Sequence, residues 1–141
     1  MAGSAGASLP APLLQQIIDA ARADLPNETV GLLVADRHAN EGGHPTRYVP
    51  LHNAAESPYR YLLDPDEQLR VMLEIDDADE VVWGIAHSHV ASPAVPSATD
   101  IGLAYYPDSL YLICSLRGEA PEVRAWIIRD GEVGEVPLGV S

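Results

Sequence analysis

The stretch VVWGIAHSHVASPAVPSATD, residues 81–100, combines an apolar run, a proline-containing loop and a helix start signal. The apolar run predicts a buried strand that ends with His87 and His89. Side chains alternate between the two faces of a strand, so both imidazoles point the same way, and the loop can bring the carboxylate of Asp100 to meet them. These three groups suit a divalent metal. Three protein ligands leave a position open for water, which favours chemistry over a structural site.

Each part of this pattern also has a simpler explanation. Two histidines at a strand end can be satisfied by the backbone, and Ser97 with Asp100 has the S-x-x-D spacing of a helix capping box. Capping explains the serine and the aspartate without a metal, but it does not explain the His-x-His that opens the loop. Two histidines and a carboxylate also form the facial triad of non-haem iron oxygenases. The metal and the reaction therefore stay open on these residues alone.

Glu28 is a second carboxylate of interest, because it stands just before an apolar run that predicts a central strand over Val30–Ala35. It falls on the same side of that strand as Leu32, where alternation favours an apolar residue. An exposed strand end after Pro26 is the simpler explanation. A metal-dependent hydrolase, however, needs a general base beside the metal, and glutamate is the usual residue for that role.

Three segments have the spacing and the end signals of helices. The first begins at Ala11 and ends at Pro26. The second begins at Asp64, a predicted N-cap whose capping box is completed by Glu67. The third is short and begins at Ser97. Three side chains of the second helix are expected in the core: Leu69, Met72 and Leu73.

The remaining apolar segments predict strands. Besides residues 30–35 and 81–89, they are residues 47–51, 59–63, 109–116, 122–130 and 132–137. Asp130-Gly131 between the last two predicts a hairpin. The order α-β-β-β-α-β-α-β-β-β predicts an α/β (α+β) fold with a mixed sheet flanked by helices. We expect residues 1–8 to form a disordered lead-in and residues 9–141 to form one domain.

Composition argues against several classes of function. The 141-residue chain has a net charge of −13, from 21 acidic residues and eight basic ones, all arginine, so it lacks a basic face for nucleic acid. The single cysteine, Cys114, lies in a predicted buried strand, which argues against disulfides and fits a reducing, cytoplasmic location. The sequence contains neither the roughly 18 apolar residues of a membrane span nor a signal-peptide pattern at its start.

Three motifs belong together: Pro26-x-Glu28-x-x-Gly31-Leu32-Leu33, His87-Ser88-His89 and Pro96-Ser97-x-x-Asp100. As a set they resemble the JAMM (MPN+) zinc metalloisopeptidases, and the resemblance runs from the first helix to the last hairpin. Four further motifs are Asn53-Ala54-x-x-Ser57-Pro58, Tyr61-x-Leu63-Asp64, Glu67-Gln68-Leu69 and Asp77-Ala78-Asp79-Glu80-Val81. They are similar to the actinobacterial Mec enzymes, which release cysteine from a ubiquitin-like sulfur-carrier protein. The chain departs from common family forms at Val30 and Val90, neither of which is a predicted ligand.

The resemblance implies a curved mixed sheet, the JAMM/MPN fold, which is related to the cytidine-deaminase architecture. It implies one zinc ion per chain, held by His87, His89 and Asp100. It also implies Glu28 as the base and Ser97 as the donor to the developing oxyanion.

The implied reaction is hydrolysis of the amide between a carrier's C-terminal glycine and cysteine, which releases free cysteine for cysteine biosynthesis. The partner is then a small ubiquitin-like sulfur carrier with a Gly-Gly tail, and His52 and Asn53 are expected to line the groove for that tail. The alternatives are an isopeptidase acting on another ubiquitin-like conjugate and a non-catalytic MPN-type scaffold. The sequence is also compatible with a homodimer.

Overall fold

The computed structural model describes residues 6–141. Its elements in chain order are β1 (Ala7–Leu9), α1 (Ala11–Ala23), β2 (Val30–Ala35), a 3-10 turn (Ala39–Glu41), β3 (Arg47–Leu51), α2 (Pro65–Asp77), β4 (Val81–His89), α3 (Ala98–Gly102), β5 (Leu110–Ser115), β6 (Glu122–Arg129), β7 (Glu132–Val136) and β8 (Leu138–Val140). Six strands form one sheet in the order β3-β2-β4-β5-β6-β7. β4 and β5 run parallel, whereas the other neighbours are antiparallel. The predicted mixed sheet is confirmed.

One face of this sheet is covered by α1. Leu13, Ile17 and Ala21 recur at helical spacing and are the buried residues of α1. They belong to an apolar cluster that also contains Trp83 and Leu112 from the sheet. The first predicted helix is confirmed, and its face of the sheet is closed by apolar side chains.

The opposite face is covered by α2, but not by the residues of α2 that the sequence predicts. Val71 and Ile75 are buried, whereas Leu69 and Leu73 are 61% and 54% exposed. The expectation that Leu69 and Leu73 lie in the core is wrong, and Met72 packs only partly against it. Leu69 with Leu73 and Val71 with Ile75 are two apolar pairs at the same i, i+4 spacing. The β-branched pair, Val71 with Ile75, is the one that packs on the sheet.

The N-terminus of α2 confirms the predicted cap but not the predicted capping box. The Asp64 carboxylate accepts a hydrogen bond from the Asp66 backbone N–H at 3.0 Å. The Glu67 carboxylate accepts from the His52 backbone N–H at 2.8 Å instead. Glu67 therefore ties α2 to the end of β3.

Residues 59–63, predicted as a strand, belong to an irregular segment. Leu63 forms an isolated bridge with Asn53, and we call residues 53–63 the strap. The prediction is wrong because backbone groups of this segment form hydrogen bonds with the Asn53 side chain instead of with a neighbouring strand. One of them is the Leu62 N–H, which donates to Asn53 Oδ1 at 3.0 Å. The strap runs over the α2 face of the sheet, since Tyr61 belongs to the apolar cluster on that side.

The chain ends pair with each other. β1 and β8 form a parallel two-stranded sheet, with Ala7 opposite Leu138. The expected lead-in is therefore wrong for residues 7 and 8, and residues 1–5 lie outside the described residues. Among residues 6–141, no helix is long and apolar enough to cross a membrane.

A shift in register determines which face carries the histidines. The pairing of β4 with β2 skips Trp83, which lies in the apolar cluster on the α1 face. Beyond this point the side chains alternate, and Ile85 lies in the cluster on the α2 face. His87 and His89 follow with the same parity. The end of β4 therefore presents both imidazoles on the α2 face, where Tyr61 of the strap packs against His87.

Candidate metal centre

β4 and α3 bring the three predicted ligands together. The Nε2 atom of His87 lies 3.2 Å from Oδ1 of Asp100, and the Nε2 atom of His89 lies 2.9 Å from Oδ2. The two Nε2 atoms are 3.3 Å apart. All three residues are buried. Within residues 6–141 they are the one cluster of three histidine, cysteine or carboxylate side chains whose ligand atoms lie within 4.8 Å of one another.

His89 is fixed through its second nitrogen. Its Nδ1 lies 2.7 Å from the carbonyl oxygen of Pro93, which can only accept a hydrogen bond, so Nδ1 carries the proton. In the neutral imidazole, Nε2 then keeps its lone pair and directs it at the cluster. Metal-binding histidines commonly have such a contact on the other nitrogen.

His87 is held differently. Its Nδ1 is buried and has no hydrogen-bond partner among the described residues. Its ring packs against the ring of Tyr61, with centroids 4.6 Å apart and planes at 39°. A hydrogen bond therefore orients one histidine, whereas an aromatic contact orients the other.

The predicted capping box at the start of α3 is present. The Ser97 hydroxyl accepts a hydrogen bond from the Asp100 N–H at 3.1 Å, and the Ser97 N–H donates to Oδ2 of Asp100 at 2.9 Å. These bonds orient the carboxylate toward the histidines. Asp100 therefore takes part both in the helix cap and in the cluster with the two histidines. The Ser97 hydroxyl only accepts in this cap, so its own proton remains available to donate.

The charges of the cluster favour a bound cation. Burial lowers the pKa of His89, but hydrogen bonds to Asp100 and to the Pro93 carbonyl raise it, and the net shift is upward. Burial raises the pKa of Asp100, but hydrogen bonds from His87 and His89 outweigh it and hold this pKa well below its usual range. Asp100 is therefore an anion. Imidazole nitrogens and a carboxylate are a donor set that fits a divalent metal, and protons compete with the metal for Nε2.

Glu28 lies beside this cluster and is 3% exposed, so the explanation as an exposed strand end does not hold. Its backbone N–H donates to the Ser57 carbonyl at 2.9 Å. Its carboxylate atom Oε1 is buried and has no hydrogen-bond partner among residues 6–141. Burial raises the pKa of Glu28 to about 8, and the charges of His89 and Asp100 shift it in opposite directions. Glu28 thus places a carboxyl group, one oxygen of which is buried and unpaired, next to the predicted ligands.

The two residues expected to contact a substrate tail line a groove with Glu28. His52 is exposed, and its Nε2 lies 3.4 Å from Oε1 of Glu56. Asn53 is buried, and its amide makes four hydrogen bonds within the protein. An amide has no further capacity, which favours a structural role for Asn53. A contact of either residue with a carrier tail stays a prediction.

Sequence reasoning gave no role to two residues that hold the site together. The Ser88 hydroxyl accepts from the Thr29 N–H at 2.8 Å, which anchors the residue next to Glu28. The signal for Ser88 is its position between the histidines, which places it on the opposite face of the strand. Tyr61 packs on His87 through a loop contact, for which the spacing carries no signal.

Comparisons with known proteins identify a family and relatives of this chain. Residues 10–129 match the family described as prokaryotic homologs of the JAB domain. The CysO-cysteine peptidase of Mycobacterium tuberculosis (strain ATCC 25618 / H37Rv) is 41% identical over 131 residues, which cover 92% of this chain and 88% of that protein. The desampylase of Haloferax volcanii is 38% identical over 108 residues, which cover 75% of each chain.

Solved structures show the same fold. The solution structure of a protein from Desulfitobacterium hafniense has a TM-score of 0.82 at 34% identity and covers 95% of this chain and 92% of that one. The crystal structure of a JAB1/MPN domain protein from Archaeoglobus fulgidus has a TM-score of 0.57 at 20% identity, over 95% of this chain and 98% of that one, and bears on the fold alone. The predicted JAMM/MPN fold is confirmed, and the chain belongs to the prokaryotic homologs of the JAB domain.

Proposed function

We propose that this chain is a zinc hydrolase that cleaves the amide between the C-terminal glycine of a ubiquitin-like sulfur-carrier protein and cysteine. The observation that carries the proposal is the carboxyl group of Glu28 beside the metal-ligand cluster, whose Oε1 atom is buried and unpaired. The substrate class comes from the 41% identical relative, whose name is CysO-cysteine peptidase. The product is free cysteine, which places the reaction in cysteine biosynthesis. One domain, from residue 7 onward, carries this activity.

His87, His89 and Asp100 would hold the zinc ion. When bound, zinc supplies Lewis acidity, which lowers the pKa of water and polarises a carbonyl group. Glu28 takes a proton from the attacking water and returns it to the amine of the leaving cysteine. Burial raises the pKa of Glu28 to about 8, and a divalent cation held by the ligands would lower it toward neutrality, where a base works best.

Ser97 donates a hydrogen bond to the oxyanion that forms on the scissile carbonyl. Its hydroxyl oxygen already accepts from the Asp100 N–H, so its own proton is free for this role. The carrier's Gly-Gly tail lies extended in the groove beside His52. We further propose a cytoplasmic location, which agrees with the free, buried thiol of Cys114. A homodimer stays a prediction.

Incubation with a purified carrier-cysteine adduct tests this proposal. Intact mass spectrometry should show loss of one cysteine from the adduct, inhibition by a metal chelator and recovery after zinc is added back. If the zinc-loaded chain leaves the adduct intact, the proposed substrate is wrong. Metal analysis of protein purified without added metal tests the metal, and iron with oxygen consumption would favour an oxygenase instead.

A second candidate is cleavage of an isopeptide bond to another ubiquitin-like protein. The 38% identical desampylase of Haloferax volcanii favours it. The discriminating substrates are the same carrier linked either to cysteine or to a lysine side chain. We expect a higher kcat/KM for the cysteine adduct, and the reverse order would select the isopeptidase.

A further inference from the structure

His87 is the ligand that lacks a hydrogen bond on its second nitrogen. The imidazole of His89 is fixed by the Pro93 carbonyl, whereas Nδ1 of His87 is buried without a partner in residues 6–141. The ring torsion of histidine is broad unless a contact restricts it. Tyr61 supplies such a contact, since its ring lies 4.6 Å from that of His87 and is itself 4% exposed.

Asn53 holds the strap in place. Its Nδ2 donates to the carbonyl oxygens of Glu28 and Arg60, both at 3.0 Å. Its Oδ1 accepts from two strap N–H groups at 3.0 Å, those of Ala55 and Leu62. The amide is buried and fully used, so it has no alternative partner to move to.

One side chain therefore connects the two halves of the site. Arg60 directly precedes Tyr61 in the strap, and Glu28 is the proposed base. We propose that Asn53 and Tyr61 are positioning residues: Asn53 fixes the strap to Glu28, and Tyr61 fixes the ring of His87. The part that concerns Glu28 rests on the proposed function, whereas the contact with His87 stands independently of the reaction.

Two variants at Tyr61 test whether the aromatic ring itself is needed at this position or whether another buried apolar side chain is enough. Tyr61→Phe keeps the ring and should bind Zn²⁺ and Co²⁺ as the parent does. Tyr61→Leu removes the ring and should lower Zn²⁺ affinity about 10- to 100-fold, the usual range for residues that orient ligands. It should also change the visible spectrum of the Co²⁺ form. Parental affinity and spectrum in Tyr61→Leu would overturn the role of Tyr61.

Asn53→Asp tests the connection to the base. The shape is kept, but an oxygen replaces the donor nitrogen and faces the carbonyls of Glu28 and Arg60. We expect a fall in kcat on the carrier-cysteine adduct of about 10- to 100-fold with KM little changed, together with a changed Co²⁺ spectrum. Parental kcat and spectrum would remove Asn53 from the proposal. If Asn53→Asp does not fold, the same two measurements on Asn53→Ser, which also lacks the Nδ2 donor, decide the role of Asn53.

Ser109→Ala is the matched control, because it removes a buried side-chain hydrogen bond at the other end of β4, to the Val82 carbonyl at 2.6 Å. It should lower the melting temperature without changing metal affinity or the Co²⁺ spectrum. A spectral change equal to that of Tyr61→Leu would show that the effect is general and would refute positioning. The Co²⁺ measurements need no substrate, so they remain decisive even if the parent cleaves no carrier adduct.

Discussion

The two faces of the central sheet differ in what they bury. The α1 face holds an apolar cluster that includes Ile17, Trp83 and Leu112. The α2 face also has an apolar centre, but at the end of β4 it buries Glu28 and the cluster around His87. Buried polar groups are costly unless they are paired, and Oε1 of Glu28 has no partner in the described chain. Both faces are packed by apolar side chains, and the α2 face alone also buries the predicted ligands and Glu28.

Removal of a metal ligand should give the largest effect. His89→Ala deletes one of the three ligand atoms. It should abolish stoichiometric metal binding, because only two protein ligands remain. Metal content after dialysis checks this, with Ser109→Ala as the control. A variant that still holds one metal ion per chain would show that the ion binds elsewhere.

A cavity on the α1 face should reduce stability without affecting the metal. Leu112 is fully buried, and Leu112→Ala should lower the free energy of unfolding by about 2–5 kcal/mol. Relative to the parent, urea denaturation should give the same loss of unfolding free energy with metal bound as with chelator present. A change in metal content would show that the two faces are not independent.

Ser97→Ala tests the two roles given to Ser97, as the N-cap of α3 and as the hydrogen-bond donor to the oxyanion. Loss of the cap should cost about 1 kcal/mol of stability, and loss of the oxyanion donor should lower kcat about 100- to 1000-fold. Ser97→Thr keeps the hydroxyl and should keep most of both. If Ser97→Ala loses stability but turns over the adduct at the parental rate, Ser97 is a cap alone.

The effect of pH on the stability of the metal-free protein should be smaller than the loss of catalysis in Ser97→Ala. Burial raises the pKa of Glu28 from 4.5 to about 8, so the unfolded chain releases this proton at lower pH than the folded one. The folded state therefore loses stability as pH rises from 4.5 to 8. Glu28→Gln lacks this titration and should gain about 1–3 kcal/mol over the parent across that range, after allowance for solvent screening. The check is urea denaturation of both proteins with chelator present. If the difference in unfolding free energy between Glu28→Gln and the parent did not change with pH, the raised pKa of Glu28 would be contradicted.

The site could be predicted where it depends on local pattern. His87 and His89 share a face through strand alternation, and the capping spacing places Asp100 in the first turn of α3. Glu28 was recognisable because a charged residue occupied a position of apolar parity. The sequence also predicts most strands and helices correctly, since their apolar periods are uninterrupted.

The remainder depends on tertiary choices that spacing does not encode. In α2, the pairs Leu69 with Leu73 and Val71 with Ile75 have the same spacing, and only packing on the sheet selects the second pair. In the strap, hydrogen bonds to the Asn53 side chain replace the strand pairing that alternation suggests. Contacts between distant segments decide both outcomes.

The central claim is that the metal ligands and Glu28 form one hydrolytic site, in which Glu28 transfers protons but does not hold the metal. The direct test is Glu28→Gln, measured for zinc content and for cleavage of the carrier-cysteine adduct in the same preparation. We expect one zinc ion per chain and a rate lower by about 100- to 10,000-fold. Cleavage near the parental rate, with zinc bound, would contradict the account.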